Sequence, residues 1–122
     1  MSANRQSTHQ LEEHSLQFAL AVREFGKSLP MTVSNVEDLK QLIRASGAIG
    51  ARFISAKEST SKSEYISRIK ACGLEAQSTY YWLRLVDTQS VPELDIQRNQ
   101  LLHAAKELMA IFYKIIESTT IK

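Results

Sequence analysis

One cysteine, two prolines and four glycines are all that this 122-residue chain holds of the residues that cross-link or interrupt a backbone. A lone cysteine, Cys72, forms no internal disulfide. Its neighbours Ala71, Gly73 and Leu74 mark it as a buried small side chain rather than a reactive thiol. With so little Gly and Pro, long helices can run with few breaks. No apolar run approaches the ~20 residues that span a bilayer. The polar start, MSANRQSTHQ, is no secretory signal. The expected location is therefore the cytoplasm, away from membranes. The formal net charge is only +2, which allows a local basic patch without demanding a nucleic-acid partner.

Recognisable chemistry is also absent. The three histidines are His9, His14 and His103. No helical Glu-x-x-His pair is present to build a di-metal bundle site, and His14 beside Glu12 and Glu13 lacks ligand spacing. No nucleophile elbow, phosphate-binding loop or dinucleotide fingerprint occurs. Gly47 and Gly50 fall within a helical pattern with no strand before them, so they cannot cradle a phosphate. The expectation is a non-enzyme with no catalytic residue, no metal and no cofactor.

What the chain does have is helical periodicity over a 43% apolar composition, enough for one core in one domain. Residues 1–9 are polar and aperiodic and read as a flexible tail; residues 10–118 read as the bundle, and 119–122 as a second tail. Leu11, Ser15, Phe18, Val22, Phe25 and Leu29 recur at three-and-four spacing, one side of a helix. Pro30 ends it. Three S-x-x-E tetrapeptides follow: Ser34 to Glu37, Ser61 to Glu64 and Ser90 to Glu93. In a capping box the serine accepts a free backbone N–H and the glutamate reaches back to another. Pro92 suits a first helical position. The pattern predicts helices over 10–29, 35–58, 62–87 and 91–118, joined by short connections. The fold class is all-α, an antiparallel up-and-down four-helix bundle.

Three of these helices carry more apolar residues than one face needs. In the second, Val36, Leu39, Ile43, Ser46, Gly50 and Phe53 form the expected core stripe, and Leu42, Ile49 and Ile54 lie beyond it. In the third, the stripe is Ile66, Ile69, Gly73, Ala76, Tyr80 and Leu83, with Leu74, Tyr81 and Leu85 in excess. The fourth adds Leu102, Met109, Tyr113 and Ile116 beside Leu94, Leu101, Ala105, Leu108, Phe112 and Ile115. A wide internal core would account for this; so would a subunit interface, which contiguous apolar surface usually marks. The interface candidates are Leu42, Ile49, Leu74, Tyr81, Leu85, Leu102, Met109 and Tyr113. The stretch Ala45 to Ala51 holds two glycines, each costing about 1 kcal/mol relative to alanine inside a helix. It predicts either close packing on the small residues Ala71, Cys72, Gly73 and Ala76, or a kink at Gly47.

Arg44, Arg52 and Lys57, with Lys62, Arg68, Lys70 and Arg84, lie near Tyr65, Tyr80, Tyr81 and Trp82. Cations beside aromatics can hold phosphates and stack bases; an ordinary solvated face has the same composition. The candidates for phosphate contact are Arg44, Arg52, Arg68 and Arg84.

Gln41 to Ala51, then Ser61 to Ile69, then Tyr81-Trp82-Leu83-Arg84-Leu85, resemble the bacterial four-helix-bundle family also called 23S rRNA intervening-sequence proteins. The resemblance covers roughly residues 15–115. It implies an up-and-down bundle assembled as a ring-like homopentamer, with no enzyme activity. Relatives are encoded in insertions within ribosomal RNA genes. A related branch comprises accessory proteins of diversity-generating retroelements, basic pentamers that assist a reverse transcriptase and bind nucleic acid. The family's small-residue motif continues with an asparagine where this chain has Arg52, and its acids fall on Ser55 and Ser78. Glu75 matches a family glutamate. Arg52 is thus expected either to pair with an acid across the bundle or to face a ligand. The functional expectation is a homo-oligomeric scaffold for RNA or a nucleoprotein partner. The alternative is a protein-interaction adaptor that presents apolar helix faces and binds no nucleic acid.

Overall fold

The computed structural model describes the backbone of residues 2–121 and the side chains of residues 8–120. Four helices follow one another: α1 (Ser2–Ser28), α2 (Val33–Ala56), α3 (Lys62–Leu85) and α4 (Pro92–Ile121). Short links leave each helix no path except back along its predecessor. Every helix packs on the next, and α1 closes onto α4. Among the described residues the backbones of the diagonal pairs α1/α3 and α2/α4 make no close approach. The result is a square, antiparallel up-and-down four-helix bundle, closest-packed along α2–α3 and α3–α4 and loosest between α1 and α4. Segments 1–9 and 119–122, expected as tails, continue the helices as far as Ser2 and Ile121. They contain no Pro or Gly to stop a helix. Met1 and Lys122 lie outside the described residues.

Only one of the three expected capping boxes sets its helix start. Ser61, extended at φ −143°, accepts the Glu64 N–H at 3.1 Å. Glu64 does not complete the box on Ser61; its carboxylate turns to Thr60 and Arg68. At α2 the cap is Thr32, which accepts the Asn35 N–H at 3.1 Å. Pro30 keeps the chain extended only that far, so the helix is already under way at Ser34. At α4 Pro92 is the first helical residue. Ser90 cannot be the cap, because a cap needs extended angles and Ser90 sits at φ 58° beside Gln89 at φ 54°. These two form the centre of a tight turn in which the Val91 N–H donates to Thr88 O at 3.1 Å. Left-handed angles cost a side-chain-bearing residue about 1–2 kcal/mol, partly offset by the entropy glycine would add to the unfolded chain. A Gln89→Gly, Ser90→Gly variant is therefore expected to be more stable by about 0.5–1 kcal/mol. A raised urea midpoint with an unchanged slope would show it.

The α1 stripe from Leu11 to Leu29 is buried as its spacing predicts, and so are Leu94, Leu101, Ala105, Leu108 and Phe112 on α4. On α2 the core is rotated. Leu42, Ala45, Ser46, Ile49, Phe53 and Ala56 are buried, while Val36 is exposed and Ile43 half-buried. Leu42 and Ile49, read from sequence as interface candidates, are fully inside the bundle. Two overlapping stripes share Ser46 and Phe53, and the true one is completed by alanines that carry little hydrophobic signal. Phe53 and Phe112 stack at a tilt across the core, centroids 6.1 Å apart.

The glycines of α2 do not serve contact with α3. A Cβ on Gly50 would lie 3.4 Å from Ser15 Cβ, so the close approach is to α1. Gly73 faces Phe112 on α4. A Cβ on Gly47 would meet only the Arg23 guanidinium, and α2 runs through this position unbroken.

Candidate interaction surfaces

Between α2 and α3 lies a polar cluster centred on Glu75, which is only 8% exposed. Arg52 Nε donates to Glu75 Oε2 at 2.7 Å, and Arg44 approaches Oε1 at 3.9 Å as a looser ion pair. Arg44 and Arg52 are eight residues apart, so the same side of α2 brings both guanidiniums to one carboxylate. Arg52 thus pairs with an acid across the bundle. Both arginines remain half-exposed, and two cations sharing one anion leave one excess positive charge at the surface. Beneath them Cys72 is buried, and burial pushes its thiol up to about 11 despite the opposing field of Arg52. Such a thiol is a packing group, not a nucleophile at neutral pH.

The four candidate arginines do not form one patch. Arg68 donates to Ser55 O at 2.9 Å and pairs with Glu64 at 2.5 Å, so its charge is locally spent. Arg84 lies toward α4, 6.0 Å from the Tyr80 ring centroid, and Lys106 of α4 lies 5.3 Å from the same ring. Both acids of α3, Glu64 and Glu75, are engaged by arginines on or near its α2 side. Along the α4 side, residues 62, 66, 70, 73, 77, 80 and 84 include Lys62, Lys70 and Arg84 and no acid. Spacing of basic residues along the chain did not reveal this segregation; helical phase does. Lys106 lay outside the sequence candidates because it joins them only through Tyr80.

The second surface is apolar. Leu74 (62% exposed), Tyr81 and Leu85 recur on the outward side of α3, and Tyr113 (68% exposed) on α4 shares a groove with Leu74. Leu102 and Met109, also sequence candidates, are half-buried against the core at the same seam. Leu74, Met109 and Tyr113 line a groove of about 510 Å³ with Gly73, Ala110 and Lys70; Tyr81, Leu85 and Leu102 lie outside its lining. Six of the eight interface candidates therefore share the α3/α4 face, and Leu42 and Ile49 do not. A mixed cavity of about 570 Å³ lies between the start of α1 and the end of α4, over Leu11, Phe53, Tyr65 and Ile115. Burial raises the Tyr65 hydroxyl above its usual range. His14 borders this cavity, and His103 pairs with Glu107 at 2.9 Å on the surface of α4.

A residue the sequence did not single out holds one end of the bundle. Asn35 is fully buried. Its Nδ2 donates to Pro30 O and Asp87 O, both at 2.8 Å, and its Oδ1 accepts the Asp87 N–H at 2.9 Å. One side chain thus ties the α1–α2 link to the α3–α4 link.

The fold and these surfaces define an all-α four-helix bundle, and among the described residues no helix is long and apolar enough to cross a membrane. No family model matches the chain, and no curated protein does. Among solved structures, it is similar to a protein of unknown function from the S23 ribosomal protein family of Bacteroides thetaiotaomicron VPI-5482. The TM-score is 0.76 at 24% identity, over 90% of this chain and 97% of that one. The likeness extends over nearly the whole of both chains and concerns the fold.

Proposed function

We propose that this protein is a non-enzymatic, homo-oligomeric helical scaffold that carries RNA or a nucleoprotein partner, with the pentamer implied by its sequence resemblance as the assembly. The observation that carries the reading is α3. Its apolar residues are spread around the helix instead of gathering on one side, and Leu74, Tyr81 and Leu85 point away from the core. A helix that carries large apolar residues on its outer as well as its inner side suits burial on both, and one chain covers only the inner side. Two observations support an RNA partner: the half-exposed Arg44–Arg52 pair with its uncompensated charge, and a solved neighbour placed in a ribosomal protein family. Repetition around an oligomer would join weak cationic sites into a stronger one.

Native mass spectrometry of untagged protein purified without nuclease tests both parts. The expected result is a five-subunit mass carrying nucleic acid that is lost as salt rises, because phosphate contacts release counterions. A bare monomer would overturn the assembly. An assembly that holds a protein partner through high salt would point instead to an adaptor using the apolar groove.

A further inference from the structure

We infer that the occupant of the α3/α4 groove is the outer stripe of α1 from a second copy of this chain, seated head to tail. The inference rests on the homo-oligomer reading above and adds which two surfaces meet.

The groove has a charge pattern along its length. Its middle is apolar, built from Gly73, Leu74, Met109, Ala110 and Tyr113. Lys70 lines the groove itself; further along the same α3/α4 seam, past the groove's lining, Lys106 and Arg84 both lie over the Tyr80 ring. None of the three enters an ion pair among the described residues. Ten residues separate Lys70 from the level of Tyr80, about 15 Å at helical rise.

The outer stripe of α1 is the complement. Glu13, Leu16, Leu20 and Glu24 follow one another at spacings of three, four and four, so they form one row. The row lies opposite the buried stripe of α1, and its leucines are 49% and 44% exposed. The two glutamates are eleven residues apart, about 16 Å. An acid–Leu–Leu–acid row therefore matches, in order and length, the cation–apolar–cation seam that runs from Lys70 through the groove to Lys106 and Arg84. Glu13 takes only a long hydrogen bond from Gln17, and Glu24 pairs with Lys27 one turn on at 2.7 Å. That exposed pair is worth little and can be exchanged for a cation across an interface.

The chain cannot satisfy this match by itself, because α1 and α3 occupy opposite corners of the square. The two surfaces also differ, so the contact is heterologous. Each copy offers one stripe and one groove, and the assembly grows until it closes on itself.

Two variants at exposed positions test the pairing. One carries Leu16→Lys and Leu20→Lys; the other carries Leu74→Glu and Tyr113→Glu. Far-UV circular dichroism checks that both keep the helix content of the parent, and sedimentation velocity reads the mass. The parent is expected to assemble, and each variant alone to run as a 13.8 kDa monomer. Their mixture is expected to form a dimer and nothing larger, since each supplies the surface the other lacks. Charge exchange gives a second reading: Glu13→Lys or Lys70→Glu alone weakens assembly several-fold at low salt, and the two together restore it. A stripe variant that assembles like the parent would overturn the pairing and leave the oligomer standing. So would variants that remain monomers when mixed, as expected of a self-complementary groove-to-groove contact. A monomeric parent would overturn both readings and give the groove to a foreign chain.

Discussion

Replacing Ile49 with alanine is expected to lower the unfolding free energy of the bundle by about 2–5 kcal/mol. Ile49 is fully buried on α2, one turn before Phe53 and beside the Ser15–Gly50 approach of α1. Removing three carbons forfeits about 0.8 kcal/mol each in transfer free energy. A cavity term adds to this, because helices held by contacts on two sides relax only partly into the space. The companion measurement is Leu74→Ala, whose side chain points outward. On the isolated chain that change is expected to alter stability by less than about 0.5 kcal/mol, its effect falling on assembly instead. Urea denaturation of both variants at low protein concentration separates the two roles. An Ile49→Ala loss below about 1 kcal/mol would return this residue to the surface and overturn the observed phase of α2.

That phase shows where sequence reading stops. The stripes of α1 and α4 were legible because large apolar residues alone mark them, and Leu11 to Leu29 and Leu94 to Phe112 fall where the spacing puts them. The buried side of α2 is half alanine and serine. Ala45, Ser46 and Ala56 are recognised as core only by what packs on them, so Leu39 and Ile43 drew the expected stripe one position away. The surface candidates divide for a related reason. Leu74, Tyr81, Leu85 and Tyr113 were legible as excess, since no second inner face exists for them. For Arg52 the sequence left two roles open, an acid across the bundle or a ligand, because its partner Glu75 lies 23 residues away and the pair exists only once α3 folds back on α2. The grouping of Arg84 with Lys106 likewise needs the register of α3 on α4, which places both over Tyr80. Local signals misled at two of the three caps. A tetrapeptide specifies what a serine can do, and Pro30 and the Thr88–Val91 turn decide where the helix begins.

The same dependence on tertiary register makes Asn35 a sensitive position, and the form of its loss is predictable. Asn35→Ala removes three hydrogen bonds between the two links and strands the Asp87 N–H and the Pro30 and Asp87 carbonyls where side-chain contact had replaced water. Leaving buried groups unpaired costs about 1–3 kcal/mol apiece at the upper end, so a total loss of about 3 kcal/mol is expected. Asn35→Asp is the sharper probe, since it keeps the shape and changes one donor to an oxygen. Two carbonyls already face that position, so the folded protein favours the protonated carboxyl and holds its pKa above the unfolded value of about 3.9. For an acid raised on folding, the unfolded chain binds fewer protons than the native one once pH exceeds the unfolded pKa, so stability falls as pH rises. Measured against the parent at each pH, Asn35→Asp is therefore expected to lose about 1–3 kcal/mol already near pH 3, where its single O–H serves only one of the two carbonyls, and progressively more from about pH 4 upward. A deficit that stays constant between pH 3 and pH 7 would mean that the aspartate turns its charge to solvent and that the two links are held by other contacts. A deficit that grows with pH places the donor between Pro30 O and Asp87 O, where one buried amide fixes the end of the bundle that carries both links.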